Sequence, residues 1–193
     1  MMRTGLCVVL LAASFVLSAN VRAAPEPSDG QNVSYGGVTF PAQLGDARRE
    51  SAAAGGRGFE AVYAHDSTKT TIAVYPASHG IGLDDARASI VRREFNSHRQ
   101  IVLQARGAGT DVKIGREFTL ADARKVPRLI CQSFVIAHGH MVGPQTDRLL
   151  DYYICTGAVN GQFMWTHTML GHWPDPEPVM RRFLHAWIDH IWK

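Results

Sequence analysis

The sequence predicts an α+β fold, an antiparallel β-sheet of about six to seven strands packed with two α-helices, over residues 36–193 as a single domain. Two observations carry that expectation. Alternating β-rich runs follow one another across turn-length gaps, which favours hairpins and hence antiparallel pairing. Two longer stretches repeat their apolar residues at three- and four-residue steps, the period of a helix with one buried face.

Taken in order, Gly37-Val38-Thr39-Phe40-Pro41 is a short strand ended by proline, and the Ala/Gly-rich Ser51 to Gly58 reads as a loop or a weakly specified edge. Phe59 to Ala64 and Thr70 to Pro76 alternate as a hairpin turned at His65-Asp66-Ser67-Thr68-Lys69. Leu83 to Arg106 carries the first helical period, through Leu83, Ala86, Ile90, Val91, Phe95, His98, Ile101, Val102 and Ala105. Asp84 and Asp85 suit the positive end of its dipole, and Gly107-Ala108-Gly109 stops it. Strands follow at Val112 to Leu120, Arg128 to Ala137 and Leu149 to Gly157. Another, Gln162 to Leu170, comes after Val159-Asn160-Gly161, and Asn-Gly is a strong hairpin signal. The last helix runs from about Pro176 or Glu177 to Ile191, with Pro178 tolerated in its first turn. Met180, Phe183, Leu184, Trp187, Ile188 and Ile191 form its apolar stripe.

Ahead of this domain, residues 1–23 have the three parts of a cleavable signal peptide. Arg3 gives a charged start, Leu6 to Ala19 an apolar run, and Val21-Arg22-Ala23 a small-residue exit. The run is about fourteen residues, short of the roughly 20 that a spanning helix needs, so an uncleaved anchor is the weaker reading. Cys7 lies inside the run and upstream of the cut, which argues against a lipoprotein. Residues 24–35 read as a flexible tether, and no transmembrane segment is expected after cleavage. Removing Arg3 and Arg22 from the 20 Lys+Arg leaves 18 against 17 Asp+Glu, scattered along the chain, so a nucleic-acid partner is excluded as an expectation. The sequon Asn32-Val33-Ser34 matters only in a eukaryotic secretory route, whereas the alanine- and arginine-rich composition reads as bacterial.

Two cysteines remain after cleavage, Cys131 and Cys155, in what would be an oxidising compartment. A hairpin centred on Gly143 pairs residues whose numbers sum to 286, and 131 with 155 satisfies this. Directly opposed Cβ atoms lie roughly 4.5–5.5 Å apart, close to what a disulfide requires. A structural cross-strand disulfide is therefore expected, the alternative being two buried thiols. No C-x-x-C pair of the redox type is present.

A strand ending Phe40-Pro41, a hairpin ending Val74-Tyr75-Pro76, a long helix, a meander and a terminal helix occur in that order. This succession resembles the α/β/α sandwich of PsbP photosystem subunits and Mog-type GTPase-binding factors. The stretch Tyr63…Thr71-Ile72-Ala73-Val74-Tyr75-Pro76 is also similar to secreted proteins of proteobacteria. The resemblance implies a fold and assigns no binding residue.

Catalytic signatures (G-x-S-x-G, H-E-x-x-H, Walker and G-x-G-x-x-G) are missing, and Gly55-Gly56-Arg57-Gly58 precedes a strand rather than opening a helix. Ser133, His167 and Asp151 supply the residue types of a triad without any pattern that assembles them. Histidine is enriched at nine. His138 and His140 share a face of extended backbone beside a loop carrying Asp147, and together make a candidate divalent-metal set that His167 or His172 could join. His185 on the last helix reads as a surface residue. Tyr152, Tyr153, Phe163, Trp165, Trp187 and Trp192 read as mostly core. Trp173 beside His172 lies in a proline-bounded loop and is a candidate partner-binding pair, or else a lid on the sheet.

The function expected from these residues is an exported, periplasmic or secreted, non-enzymatic binding protein of the bacterial envelope with a protein partner and no cofactor. Its rival is a metal-binding or hydrolytic envelope protein using the His138/His140 loop. A structural or envelope-assembly factor is a third class, without an isolable ligand.

Overall fold

The described residues of the computed structural model are 30–55, 58–65, 68–77, 86–104, 110–138, 149–171 and 177–193. The expected signal peptide and the tether up to residue 29 lie outside them. The rest of that expected tether is partly ordered into the fold: Val33–Tyr35 is strand β1, paired antiparallel with β2, Val38–Phe40. Between them Gly36 and Gly37 take positive φ angles of 56° and 76°, the left-handed geometry of a tight two-residue turn.

Eight further strands make one sheet. They are β3 (Gln43–Leu44), β4 (Ala47–Gly55), β5 (Gly58–His65), β6 (Thr68–Pro76), β7 (Thr110–Ala121), β8 (Pro127–His138), β9 (Leu149–Val159) and β10 (Gln162–Gly171). Their order is β3-β4-β5-β6-β10-β9-β8-β7, with antiparallel neighbours throughout. Two four-stranded meanders, β3 to β6 and β7 to β10, are thus joined along their last strands. Helix α1, Ser89–Gln104, carries the chain from the first meander to the far edge of the second, and α2, Glu177–Ile191, ends it.

The sheet is larger than the six to seven strands expected. The stretch read as a loop or a weakly specified edge, Ser51 to Gly58, supplies most of β4, which there pairs with β5, and the start of β5. Alanine, glycine and arginine are poor strand formers, so nothing local identifies β4; pairing with the strongly β-prone β5 imposes its conformation. The first helix begins at Ser89 rather than near Leu83, and ahead of it Ala86 N–H donates to Pro127 O at 3.1 Å. Ile101, expected on the buried stripe, is 64% exposed.

Alternate residues along each strand point to opposite faces, and each face has its own helix. On one, Met180, Leu184, Trp187 and Ile188 of α2 pack with Phe40, Tyr63, Ile72, Leu120, Met164 and Leu170. Trp187 is fully buried and its Nε1 points at Met164 Sδ, 2.9 Å away. On the other face, Val91, Phe95 and Val102 of α1 cover Val112, Ile130, Phe134, Ile154 and Phe163. Asn160 and Gly161 turn β9 into β10 with φ of 49° and 72°, as the Asn-Gly signal predicts. Gly157 sits where any Cβ would collide with Arg128 O on β8, so β8 and β9 approach closely only because the residue is glycine.

The free edge at β7 is blunted. Its register shifts between Ile114 and Glu117, and Arg116 N–H donates to Ser133 Oγ at 2.9 Å while Gln132 Nε2 donates to Gly115 O at 2.8 Å. A bulge and exposed Lys113, Arg116 and Glu117 deter further pairing there. The β7–β8 turn is fastened by Asp122, which accepts from Arg124 N at 3.0 Å, Val126 N at 2.9 Å and Arg128 Nη2 at 2.8 Å. Among the described residues no helix is long and apolar enough to cross a membrane.

Candidate functional site

The disulfide expected from register is present. Cys131 and Cys155 pair across β8 and β9, are bonded, have Cα atoms 4.1 Å apart, and are fully buried on the α2 face. It is a staple inside a core, sealed from solvent.

Of the expected metal set, the backbone of His138 closes β8, while His140 and Asp147 lie outside the described residues. His172 and Trp173 lie outside them too; the chain enters that loop from Gly171, the end of β10. Among the described residues, no three His, Cys, Asp or Glu side chains gather where they could hold a metal ion. The nominal triad does not assemble. Ser133 and Asp151 share the strand parity of Cys131 and Cys155 and face α2, whereas His167 pairs with Ile154 and faces α1. Ser133 serves the β7 bulge instead. His185 is exposed, as expected.

What the fold does assemble is a row of imidazoles and aromatic rings beneath one flank of α1. The hairpin through Asn160-Gly161 pairs Trp165 with Thr156 and His167 with Ile154, so Tyr152 and Thr156 of β9 share a face with Trp165 and His167 of β10. Tyr75 joins from β6, and α1 lays Glu94 and His98, one turn apart, over them. The His98 ring stacks on Trp165 with centroids 4.8 Å apart at 30°, and Trp165 meets His167 edge-on at 3.5 Å.

Hydrogen bonds fix both imidazoles. Tyr75 O–H donates to Glu94 Oε1 at 2.7 Å. Its proton being used there, His98 Nε2, 3.2 Å from the Tyr75 oxygen, carries the ring hydrogen, and Nδ1 accepts from Thr156 Oγ1 at 3.3 Å. Tyr152 Oη and His167 Nδ1 share a hydrogen bond of 2.5 Å. Burial lowers the His98 pKa, opposed by the Glu94 carboxylate 3.5 Å away. Burial, and then the nearby positive charge that His98 would carry, hold His167 down at about 3. Burial pushes the Tyr152 phenol up. At neutral pH both imidazoles and the Tyr152 phenol are therefore uncharged.

Those shifts bear on chemistry. A general base works best with a pKa near the operating pH, and an acid likewise. His167 and Tyr152 are moved away from neutrality in opposite directions, and His98 has both nitrogens engaged. The row offers ring faces and edges for contact, with proton transfer disfavoured. Beside it stand the two most exposed large apolar side chains among the described residues: Ile101, one turn beyond His98 at 64% exposure, and Met169, two residues past His167 at 45%.

Sequence reasoning placed His98 on the helix stripe and Trp165 and Tyr152 in the core, without bringing them together. The Asn-Gly hairpin did contain the signal, since residues summing to 321 oppose each other and Trp165 with Thr156 does so. Which helix lies above them is tertiary information.

No protein-family model matches the chain, and no curated protein matches it either.

Proposed function

We propose that this chain is an exported, non-enzymatic binding protein of the bacterial envelope, periplasmic or secreted, whose partner is another protein. The observation that carries the binding reading is on the α1 side, where Ile101, one turn beyond His98, and Met169, two residues past His167, are exposed while Trp165 and His167 are half-buried. Apolar groups exposed around an aromatic anchor are what protein partners use, and isolated ones would mean little. Support for export comes from the signal-like residues 1–23 and from a buried disulfide, a bond that forms in oxidising compartments and is rare in cytosol. One helix against each face of an antiparallel sheet supports a PsbP/Mog-like α/β/α sandwich; an experimental structure with both helices on one face would refute it.

Mass spectrometry of the protein recovered from its host tests export: the mature chain should begin at Ala24, and an intact Met1 form in the cytosol would contradict it. Met169→Glu should abolish co-purification of the partner while leaving the fold intact; retention at the wild-type level would remove the patch from the account.

The metal-binding or hydrolytic reading keeps one favourable observation. His138 ends β8 and Gly171, just before His172, ends β10, so the chain enters both histidine-bearing loops from strands flanking β9, about 10 Å apart. Zinc titration by calorimetry decides it: near-stoichiometric binding lost in His138→Ala would support that reading, and no heat would end it.

A further inference from the structure

We propose that the row His98–Trp165–His167 is an acid-operated latch, in which proton uptake by the two imidazoles frees helix α1 from β9 and β10 while α2 and the disulfide-bonded strands stay closed. Three features of the geometry lead there.

First, the row is part of what fastens α1. The helix reaches the sheet through Val91, Phe95 and Val102, and on its flank through Glu94 and His98, bonded to Tyr75 and Thr156. The exposed pair Arg92–Glu117, at 2.6 Å, adds a surface tie to β7 worth little.

Second, the surroundings accommodate imidazole and resist imidazolium. His98 meets Glu94 from α1, Tyr75 from β6, Thr156 from β9 and Trp165 from β10. For His167 the partners among the described residues are Tyr152 and Trp165, and neither carries a charge to neutralise a cation. With both rings charged on either side of Trp165, the Glu94 carboxylate lies beside only one of them, His98.

Third, the opposite side is closed differently: its half-buried histidine, His190, meets Trp187 and the Thr39 carbonyl at the end of α2, outside the apolar centre. The α2 face is closed by fully buried apolar side chains and stapled by Cys131–Cys155. Opening on the α1 side therefore relieves the charges without dismantling the rest. The sign is fixed: an imidazole held below its ordinary 6.5 destabilises the closed state as pH falls from 6.5 toward its folded value.

Hydrogen exchange of the full mature protein, read as protection factors to remove the intrinsic pH effect, tests this directly. Protection across Ser89–Gln104 should fall by about tenfold or more between pH 6.5 and 5 while that across Glu177–Ile191 holds. In His167→Gln most of the fall should vanish. Unchanged α1 protection, loss in step with α2, or a fall as large in His167→Gln as in wild type would each overturn the latch. Should His167→Gln fail to fold, His98→Gln and the wild-type profile read the same outcomes.

Discussion

The two faces of the sheet are closed in different ways. Beneath α2 the contacts are apolar, continuous and covalently stapled: Trp187 lies against Phe40 with ring centroids 5.5 Å apart, Tyr63 donates to Pro41 O at 2.9 Å, and the Cys131–Cys155 bond is fully buried. Beneath α1 a smaller apolar cluster shares its space with tyrosines, threonine, a carboxylate and two neutral histidines, and its rim exposes Ile101 and Met169. Strand alternation lets one sequence write both. The odd residues of β9 serve the first face and Tyr152, Ile154 and Thr156 the second. The difference teaches where stability resides and where adaptable chemistry is left, and it can be broken from either side.

The largest effect should come from Trp187→Ala, which empties the centre of the α2 face. It should cost about 3–5 kcal/mol in urea unfolding. A loss under about 1 kcal/mol would mean that α2 is not the main anchor. Replacing Cys131 and Cys155 by serine together releases a closure between residues separated by 24 in sequence and should cost about 3 kcal/mol. A midpoint equal to that of the oxidised parent would contradict the staple. Gly157→Ala, which drives a Cβ into the β8 backbone, should cost about 1–3 kcal/mol; a neutral result would show that β8 and β9 separate easily.

The α1 face sharpens the comparison through pH. His167 has a folded pKa of about 3 against an ordinary 6.5, so its contribution is complete above pH 6.5 and is lost at up to about 1.4 kcal/mol per pH unit as pH falls toward 3. Carboxylates act lower. Burial alone would raise Asp122, but the Val126 N–H and the Arg128 guanidinium hold it below the ordinary carboxylate range. Its stabilisation is complete above pH 3.8 and is lost as pH falls through that lowered folded value. Wild type should therefore lose thermal stability relative to His167→Gln as pH falls from 7.5 to 5; parallel curves would deny the histidine limb. The smallest effect on stability, within about 0.5 kcal/mol, belongs to Ile101→Glu, a surface change that should nonetheless abolish partner binding.

How legible this was in the sequence depended on the range of the signal. The Cys131–Cys155 register, the Asn160-Gly161 turn and the α2 stripe are set by residues close along the chain, and the structure bears them out. Strand β2 was legible as the short strand ended by Pro41, but β1 fell in the expected tether and β4, read as a loop or a weakly specified edge, is built from poor β formers. The shelf of Tyr75, His98, Trp165 and His167 joins three elements distant in sequence, and Ile101 looked like core because helical period does not say how wide a stripe the sheet will cover. His140, Asp147, His172 and Trp173 fall outside the described residues.

Site-specific photo-crosslinking in the native host tests the central claim, that the α1 side is the working face, most directly. A crosslinking residue placed at 101 or 169 should trap a discrete protein adduct, and one placed at the exposed position 185 on α2 should not. Equal trapping from all three positions, or from 185 alone, would contradict it.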